Sequence, residues 1–246
     1  MLNIVIPMAG AGSRFAIAGF LDPKPLIPVF NQPMIELVIK NLTPTIPHRF
    51  IFVVQEDHFK QYQIARTINL ITKNCEFILI NELTEGAAST VLKAEMYIDS
   101  NEPLMIANSD QFIDYPIDKY LKTEQTTDDG IIMTMLADDA KWSFIKVDSE
   151  GFVLEIAEKR VISNLATVGI YNFKRGSDFV SGAKEMIGLN ERVNGEFYVA
   201  PVYNYLIKNN LKFRNLTIGN LGSAMYGLGT PSDLDFFIKN FKGTKL

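Results

Sequence analysis

Cysteine and histidine are almost missing from this chain: Cys75 stands alone, and His48 and His58 are the two imidazoles among 246 residues. A single cysteine forms no internal disulfide. A zinc site of His and Cys is equally ill supplied, so a metal ion here would be a hard cation on carboxylate oxygens. Cys75 opens the apolar run Cys75-Glu76-Phe77-Ile78-Leu79-Ile80 and reads as a buried strand residue. A basic excess is also lacking, since 24 Lys and Arg face 28 Asp and Glu for a net charge of −4. That balance excludes a broad nucleic-acid-binding face but leaves room for a local basic pocket. No stretch reaches the roughly 18 apolar residues of a membrane-spanning helix, and Met1 to Met8 has no basic leader region. The expectation is a cytoplasmic protein that engages neither membrane nor nucleic acid. No Pro-, Ser- or Gly-rich linker and no repeat divides the chain, which predicts one domain over residues 1–246.

What is present is apolar patterning, with 47% hydrophobic residues. Asn3–Pro7, Phe50–Val54, Phe77–Ile80 and Leu104–Ala107 are continuous apolar runs, as expected of parallel strands buried on both faces. Between them, 33–41, 57–71 and 86–98 carry helical spacing. This alternation predicts an α/β fold with helices on both sheet faces and ligands at the carboxyl ends of the strands. After about residue 130 the pattern changes. Ile131–Leu136, Ser143–Val147, Phe152–Ala157 and Thr167–Phe173 read as strands, with Asp148-Ser149-Glu150-Gly151 as a hairpin turn. Helices return at 177–187, 197–208 and 231–241.

The strongest local signal is Met8-Ala9-Gly10-Ala11-Gly12-Ser13-Arg14, directly after the first strand. Small residues let backbone N–H groups approach an anion, and Arg14 adds a positive fork. Pro23-Lys24-Pro25 presents a lysine from a stiff segment. Together these suit a triphosphate. A dinucleotide fingerprint would need a third glycine at Phe15 and an immediate helix, which Gly19, Pro23 and Pro25 oppose. A Walker A loop would need Gly-Lys-Ser/Thr, which is absent. The plain alternative is a glycine turn with two solvated cations.

Met8 to Arg14, Pro23-Lys24-Pro25-Leu26-Ile27-Pro28-Val29 and Gln32-Pro33-Met34-Ile35-Glu36 resemble the opening of the sugar-1-phosphate nucleotidyltransferases, the nucleoside diphosphate sugar pyrophosphorylases. The resemblance continues to about Leu234. It implies a single Rossmann-like (GT-A-like) domain with a mixed, mainly parallel sheet. Its nucleotide-binding half would span about 1–130 and its sugar-phosphate half about 131–246. The implied activity joins a nucleoside triphosphate to a phosphorylated sugar, with Mg2+, for nucleotide-sugar and cell-surface polysaccharide precursor synthesis. Residues 8–14, Glu82, Gly86, Ala87, Asn108 and Ser109 would bind nucleotide. Arg14, Lys24 and Asp110 would be catalytic, with Asp110 as the metal ligand. Ser143, Glu158, Lys159, Gly169 and Glu196 would hold the sugar phosphate.

Several of these segments have plainer readings. Gly86-Ala87-Ala88 also suits a tightly packed helix start, Asp110 a turn, Glu158-Lys159 a solvated strand and Tyr198 the core. Three positions depart from the pattern: Ser143 for glycine, Arg160 for proline, and Gly227 for an aspartate that is often a second metal ligand. At Gly227, three outcomes stay open: Asp110 suffices with phosphate oxygens, another carboxylate substitutes, or catalysis is weak. Two rival functions follow, a GT-A-type glycosyltransferase using a nucleotide sugar and a catalytically weak nucleotide-sugar-binding regulator.

Overall fold

Every position of Leu2–Pro7 except Asn3 is apolar, so that strand needs cover on both faces. In the computed structural model, which describes residues 1–123 and 128–241, it receives it. Ile4 and Ile6 pack with Phe50, Phe52 and Met105 on one face. Val5 packs with Ile51, Val53, Leu104 and Ile106 on the other. Each such isoleucine or phenylalanine contributes about 1.5–3 kcal/mol by leaving water. Asn3 is the exception, and its Oδ1 accepts from Arg49 Nε at 3.2 Å and Nη2 at 2.8 Å.

In chain order the first half runs β1 (Leu2–Pro7), α1 (Ser13–Ile17), β2 (Pro28–Val29), β3 (Gln32–Pro33), α2 (Met34–Leu42), β4 (His48–Gln55), α3 (Glu56–Gln61), α4 (Ile64–Ile71) and β5 (Cys75–Ile80). It continues through α5 (Ala87–Leu92), α6 (Glu95–Ile98), β6 (Leu104–Ala107), β7 (Gln111–Ile113) and α7 (Ile117–Leu121). The second half runs β8 (Gly130–Leu136), β9 (Ser143–Val147), β10 (Val153–Glu158), β11 (Leu165–Phe173), α8 (Gly176–Gly188), α9 (Val202–Lys208), β12 (Phe213–Asn220), β13 (Met225–Gly227) and α10 (Pro231–Asn240).

The main sheet has the order β10-β9-β11-β6-β1-β4-β5, with β8 joining β11 to β12. Pairings among β6, β1, β4 and β5 are parallel, and β11 joins β6 antiparallel. The sheet is therefore mixed: the first half contributes the parallel block β6-β1-β4-β5, and in the second half β12 pairs in parallel with β8. β1 and β6 end side by side, which brings the glycine loop and Asp110 to one edge. The β9–β10 turn closes as expected, with Asp148 N donating to Phe152 O and Gly151 at φ +84. No helix among the described residues is long and apolar enough to cross a membrane.

The expected strands form, and six local expectations need correction. Residues 57–71 make two helices, because Gln63 adopts a left-handed φ of +50 between α3 and α4. Residues 86–98 also divide, since Lys93 N and Ala94 N bond three residues back and tighten the chain into a turn. The helix expected from Phe197 begins only at Val202, because the Phe197 backbone is bonded to Glu85 and Ala88. β5 is an edge strand, half-buried apart from Ile80 and with Leu79 exposed, not covered on both faces. Cys75 is likewise half-buried, its Sγ 3.3 Å from Asn69 Oδ1. Finally, a helix does follow the glycine loop. It stops at Ile17, so Gly19 at φ +87 limits it to five residues rather than preventing it.

Candidate active site

The glycine loop is built before any ligand arrives. Met8 is buried and donates its N–H to Val53 O, while Gln55 Nε2 at the end of β4 donates to Ala9 O at 2.7 Å. Gly12 caps α1 in the left-handed region (φ +62), with Ser13 as the first helical residue. A side chain at Gly12 would lie 3.6 Å from Lys24 Cβ, so the loop rests on the lysine segment. Nothing stands within 4 Å of a Cβ placed at Gly10.

Two cavities flank this loop. The smaller, about 280 Å³, is lined by Ala9, Gly10 and Ala11, together with Thr84, Gly86, Ala87 and Glu196. The larger, about 570 Å³, brings together Arg14, Ala87, Asn108, Asp110, Ser143, Glu158, Lys159, Gly169 and Glu196 from the residues singled out in the sequence. Ala87 and Glu196 line both. Lys24 reaches the larger cavity through Asp110, with Nζ 2.9 Å from Oδ2. Ser109 is buried beside Asp110. Glu82 lies elsewhere, lining a separate groove with Leu79, Asn81 and Lys93.

The segments that carry the shared residues Ala87 and Glu196 are tied together by main-chain hydrogen bonds. Phe197 N donates to Glu85 O at 2.8 Å, and Ala88 N to Phe197 O at 2.9 Å. Gly86, at φ +126, leaves no room for a Cβ, which would sit 2.5 Å from Phe197 N and O. Arg192 braces the joint, with Nη2 2.8 Å from Glu85 Oε1 and its guanidinium over the Phe197 ring.

Register sets the far end of the larger cavity. Ser143 and Glu158 face each other across β9 and β10, and Ser143 Oγ donates to Glu158 Oε2. Burial pushes the Glu158 carboxyl above its ordinary range and Glu196 adds to the rise, while the Ser143 hydroxyl and Lys159 oppose it. Lys159 leaves β10 with a left-handed φ of +52, and its Nζ meets Tyr198 OH and lies 4.5 Å from that ring's centre. Gly169 is favoured by its backbone, and a side chain there would displace two neighbours. Its φ is +74, and a Cβ would collide with Gln111 Oε1 at 2.1 Å and Asn108 Nδ2 at 2.4 Å.

The carboxyl-terminal segment completes the site. β13 pairs with β7, and Leu228 N donates to Asp110 O at 2.8 Å. A Cβ at Gly229 would stand 2.7 Å from Asp110 Oδ2, so glycine there leaves open the side of that oxygen not taken by Lys24. At Gly227 the nearest neighbours of a Cβ, at 3.5–3.6 Å, all belong to Asp233. Asp233 Oδ2 accepts from Thr230 Oγ1 at 2.7 Å, and Lys141 Nζ lies 3.6 Å from Oδ1. The cavity residues not singled out beforehand include Gln111, Lys141, Thr167, Tyr171 and Asp233. Gln111 adjoins Asp110 in sequence, and Asp233 lies three residues after Thr230 in a capping pattern, so both carried a local signal.

The chain belongs to the nucleotidyl transferase family, whose model matches residues 4–186. It is 25% identical over 214 residues to the bifunctional protein GlmU of Methanococcus maripaludis, covering 85% of this chain and 47% of that protein. It is 23% identical over 177 residues to mannose-1-phosphate guanylyltransferase catalytic subunit beta of Drosophila melanogaster, covering 69% and 47%. The chain thus spans about half the length of these relatives. Among solved structures, a nucleoside-diphosphate-sugar pyrophosphorylase from Vibrio cholerae RC9 superposes with a TM-score of 0.79 at 27% identity, covering 96% of this chain and 99% of that one. A UDP-glucose pyrophosphorylase complexed with UDP-glucose shares the fold, with a TM-score of 0.75 at 18% identity and 97% coverage of both chains.

Proposed function

We propose that this protein transfers a nucleotidyl group from a nucleoside triphosphate to the phosphate of a phosphorylated sugar or related small molecule, releasing pyrophosphate. The observation that carries this reading is the pair of cavities sharing Ala87 and Glu196, with one loop lining the smaller through Ala9–Ala11 and reaching the larger through Arg14. Nucleoside would occupy the smaller cavity and acceptor the larger. An acceptor phosphate oxygen attacks the α-phosphorus in line, the bond to the β-phosphate's bridging oxygen breaks, and pyrophosphate leaves with the electron pair. The acceptor oxygen is already anionic, so no general base and no covalent intermediate is required. Catalysis is then positioning plus charge neutralisation, with Arg14 and Lys24 offsetting charge on the phosphates.

The residues fit Mg2+. Asp110 offers a hard carboxylate oxygen into the cavity, kept clear by Gly229, and Asp233 lies beside the side-chain space absent at Gly227. Asp110 would hold the ion, which when bound neutralises and orients phosphate oxygens. The product would be a nucleotide-activated precursor of the kind used for cell-surface polysaccharide, made in the cytoplasm. The test is a matrix of triphosphates against phosphorylated sugars and polyols with Mg2+, scored by pyrophosphate. Release of nucleoside diphosphate from a nucleotide sugar would point instead to a glycosyltransferase. Ligand binding with no pyrophosphate from any pair would point to a regulator.

A further inference from the structure

Within this reading of the larger cavity as the acceptor site, we infer that the acceptor is a phosphorylated small molecule bearing a primary amine, and that its ammonium sits between Glu158 and Glu196, within reach of Gln111 Oε1.

The inference comes from matching donors against acceptors at the end of the cavity. Ser143 spends its one hydroxyl proton on Glu158 Oε2. Thr167 Oγ1 and Tyr171 OH are 3.0 Å apart and bond to each other. The Lys159 ammonium rests on the hydroxyl and ring of Tyr198. Gln111 Oε1 is buried and has no partner. Glu158, Glu196 and the orphaned Gln111 oxygen thus line this cavity, with Lys159 as the ammonium that offsets Glu158 while already resting on Tyr198, whose hydroxyl also bonds Glu196. The Trp142 indole N–H is an orphaned donor beside them, suited to a hydroxyl or phosphate oxygen of the same ligand.

Electrostatics favours the same ligand. Glu196 lies close enough to Glu158 to add repulsion to the cost of burial, and the one ammonium that offsets Glu158, Lys159, also rests on Tyr198, so two carboxylates share one cation. A phosphate would be driven from it toward Arg14 and Lys24. A ligand hydroxyl brings one proton and leaves the charge untouched. An ammonium brings three donors, enough for both carboxylates and the Gln111 oxygen, and supplies the missing positive charge. Hydrogen bonds involving charged groups put the preference over an isosteric hydroxyl at about ten- to a hundredfold.

Two matched pairs test this on the full chain: glucosamine 1-phosphate against glucose 1-phosphate, and 2-aminoethyl phosphate against 2-hydroxyethyl phosphate. Calorimetry gives the Kd of each, and pyrophosphate release gives kcat/KM. The expected result is an amine preference of at least about tenfold in one pair or both. Glu158→Gln should bring that ratio close to one while the Kd for triphosphate stays unchanged, and Glu196→Gln, which borders both cavities, should lower the ratio as well. Equal affinity within both pairs, a preference for the hydroxyl, or no measurable binding of either amine overturns the inference. Efficient pyrophosphate release from hydroxyl acceptors alone would overturn it while nucleotidyl transfer stands. Amine-selective binding with no pyrophosphate from any triphosphate would support the inference and defeat the proposed activity.

Discussion

Lys24→Ala separates two energies that differ in scale. The ammonium lies 2.9 Å from Asp110 Oδ2, and the two side chains are 24% and 22% exposed. Water screens a pair this open, so its loss costs folding at most about 1 kcal/mol, and less after screening is counted. Against a total stability on the order of 5–15 kcal/mol, the variant stays folded. Turnover responds differently. A preorganised charge aimed at developing phosphate charge supplies about 2.7–4 kcal/mol to the transition state, so kcat should fall by about a hundred- to a thousandfold. Asp110→Ala should behave alike. The assay pairs pyrophosphate release at saturating substrates with urea denaturation of the same preparations. Near-normal turnover, or a loss that tracks a lowered urea midpoint, would refute the argument. Lys24→Met, which keeps most of the stem, should reproduce the alanine result if charge rather than packing is responsible.

Further predictions concern the loops and the buried carboxylate. Gly86→Ala drives a methyl against the Phe197 backbone and strains a left-handed position, costing about 2–6 kcal/mol, and an unchanged Tm would sink that account. Gly10→Ala meets nothing in the free protein, so stability should move by less than about 0.5 kcal/mol. Its methyl enters the smaller cavity, so calorimetry should show weakened triphosphate binding, and unaltered affinity would contradict the placement. For Glu158→Gln the prediction is a pH dependence. The folded-state pKa of Glu158 is raised, so the stability tied to its protonated form is complete below the ordinary value of 4.5 and is lost as pH rises through the raised one. The glutamine variant should therefore gain on the wild type as pH increases across that interval, and a gap independent of pH would show that burial does not perturb this group.

Sequence patterning disclosed much of the fold because the apolar runs are long where both faces are covered, as in β1, β4 and β6. It failed where distant parts of the chain decide local shape. β12 went unread, since Phe213-Arg-Asn-Leu-Thr-Ile-Gly-Asn220 has weak alternation and owes its extended form to parallel pairing with β8. Phe197–Ala200 carries helical spacing, yet its backbone bonds go to Glu85 and Ala88, which no local rule anticipates. In the site, Arg14, Asp110, Glu158, Lys159 and Glu196 were marked out by the family resemblance, and the fold brings them to one cavity; residue type alone left Asp110 as a turn and Glu158-Lys159 as a solvated strand equally open. Tyr198 was read as core, but its hydroxyl holds Lys159, a contact set by the left-handed turn at Lys159. Asp233 sits visibly in the first turn of α10, its N–H capped by Thr230, and only the fold shows it lying against Gly227.

The joint between Glu85 and Phe197 is made of main-chain atoms. Its main-chain bonds do not depend on the flanking side chains, whereas Gly86 and the bracing Arg192 must keep their places. Thr84 borders the smaller cavity and Glu196 borders both, so under the proposed activity exchanges in these two loops would alter which nucleotide and which acceptor are bound. A scaffold of this kind lets new substrate pairings arise by exchanging loop side chains while the reacting atoms stay in register.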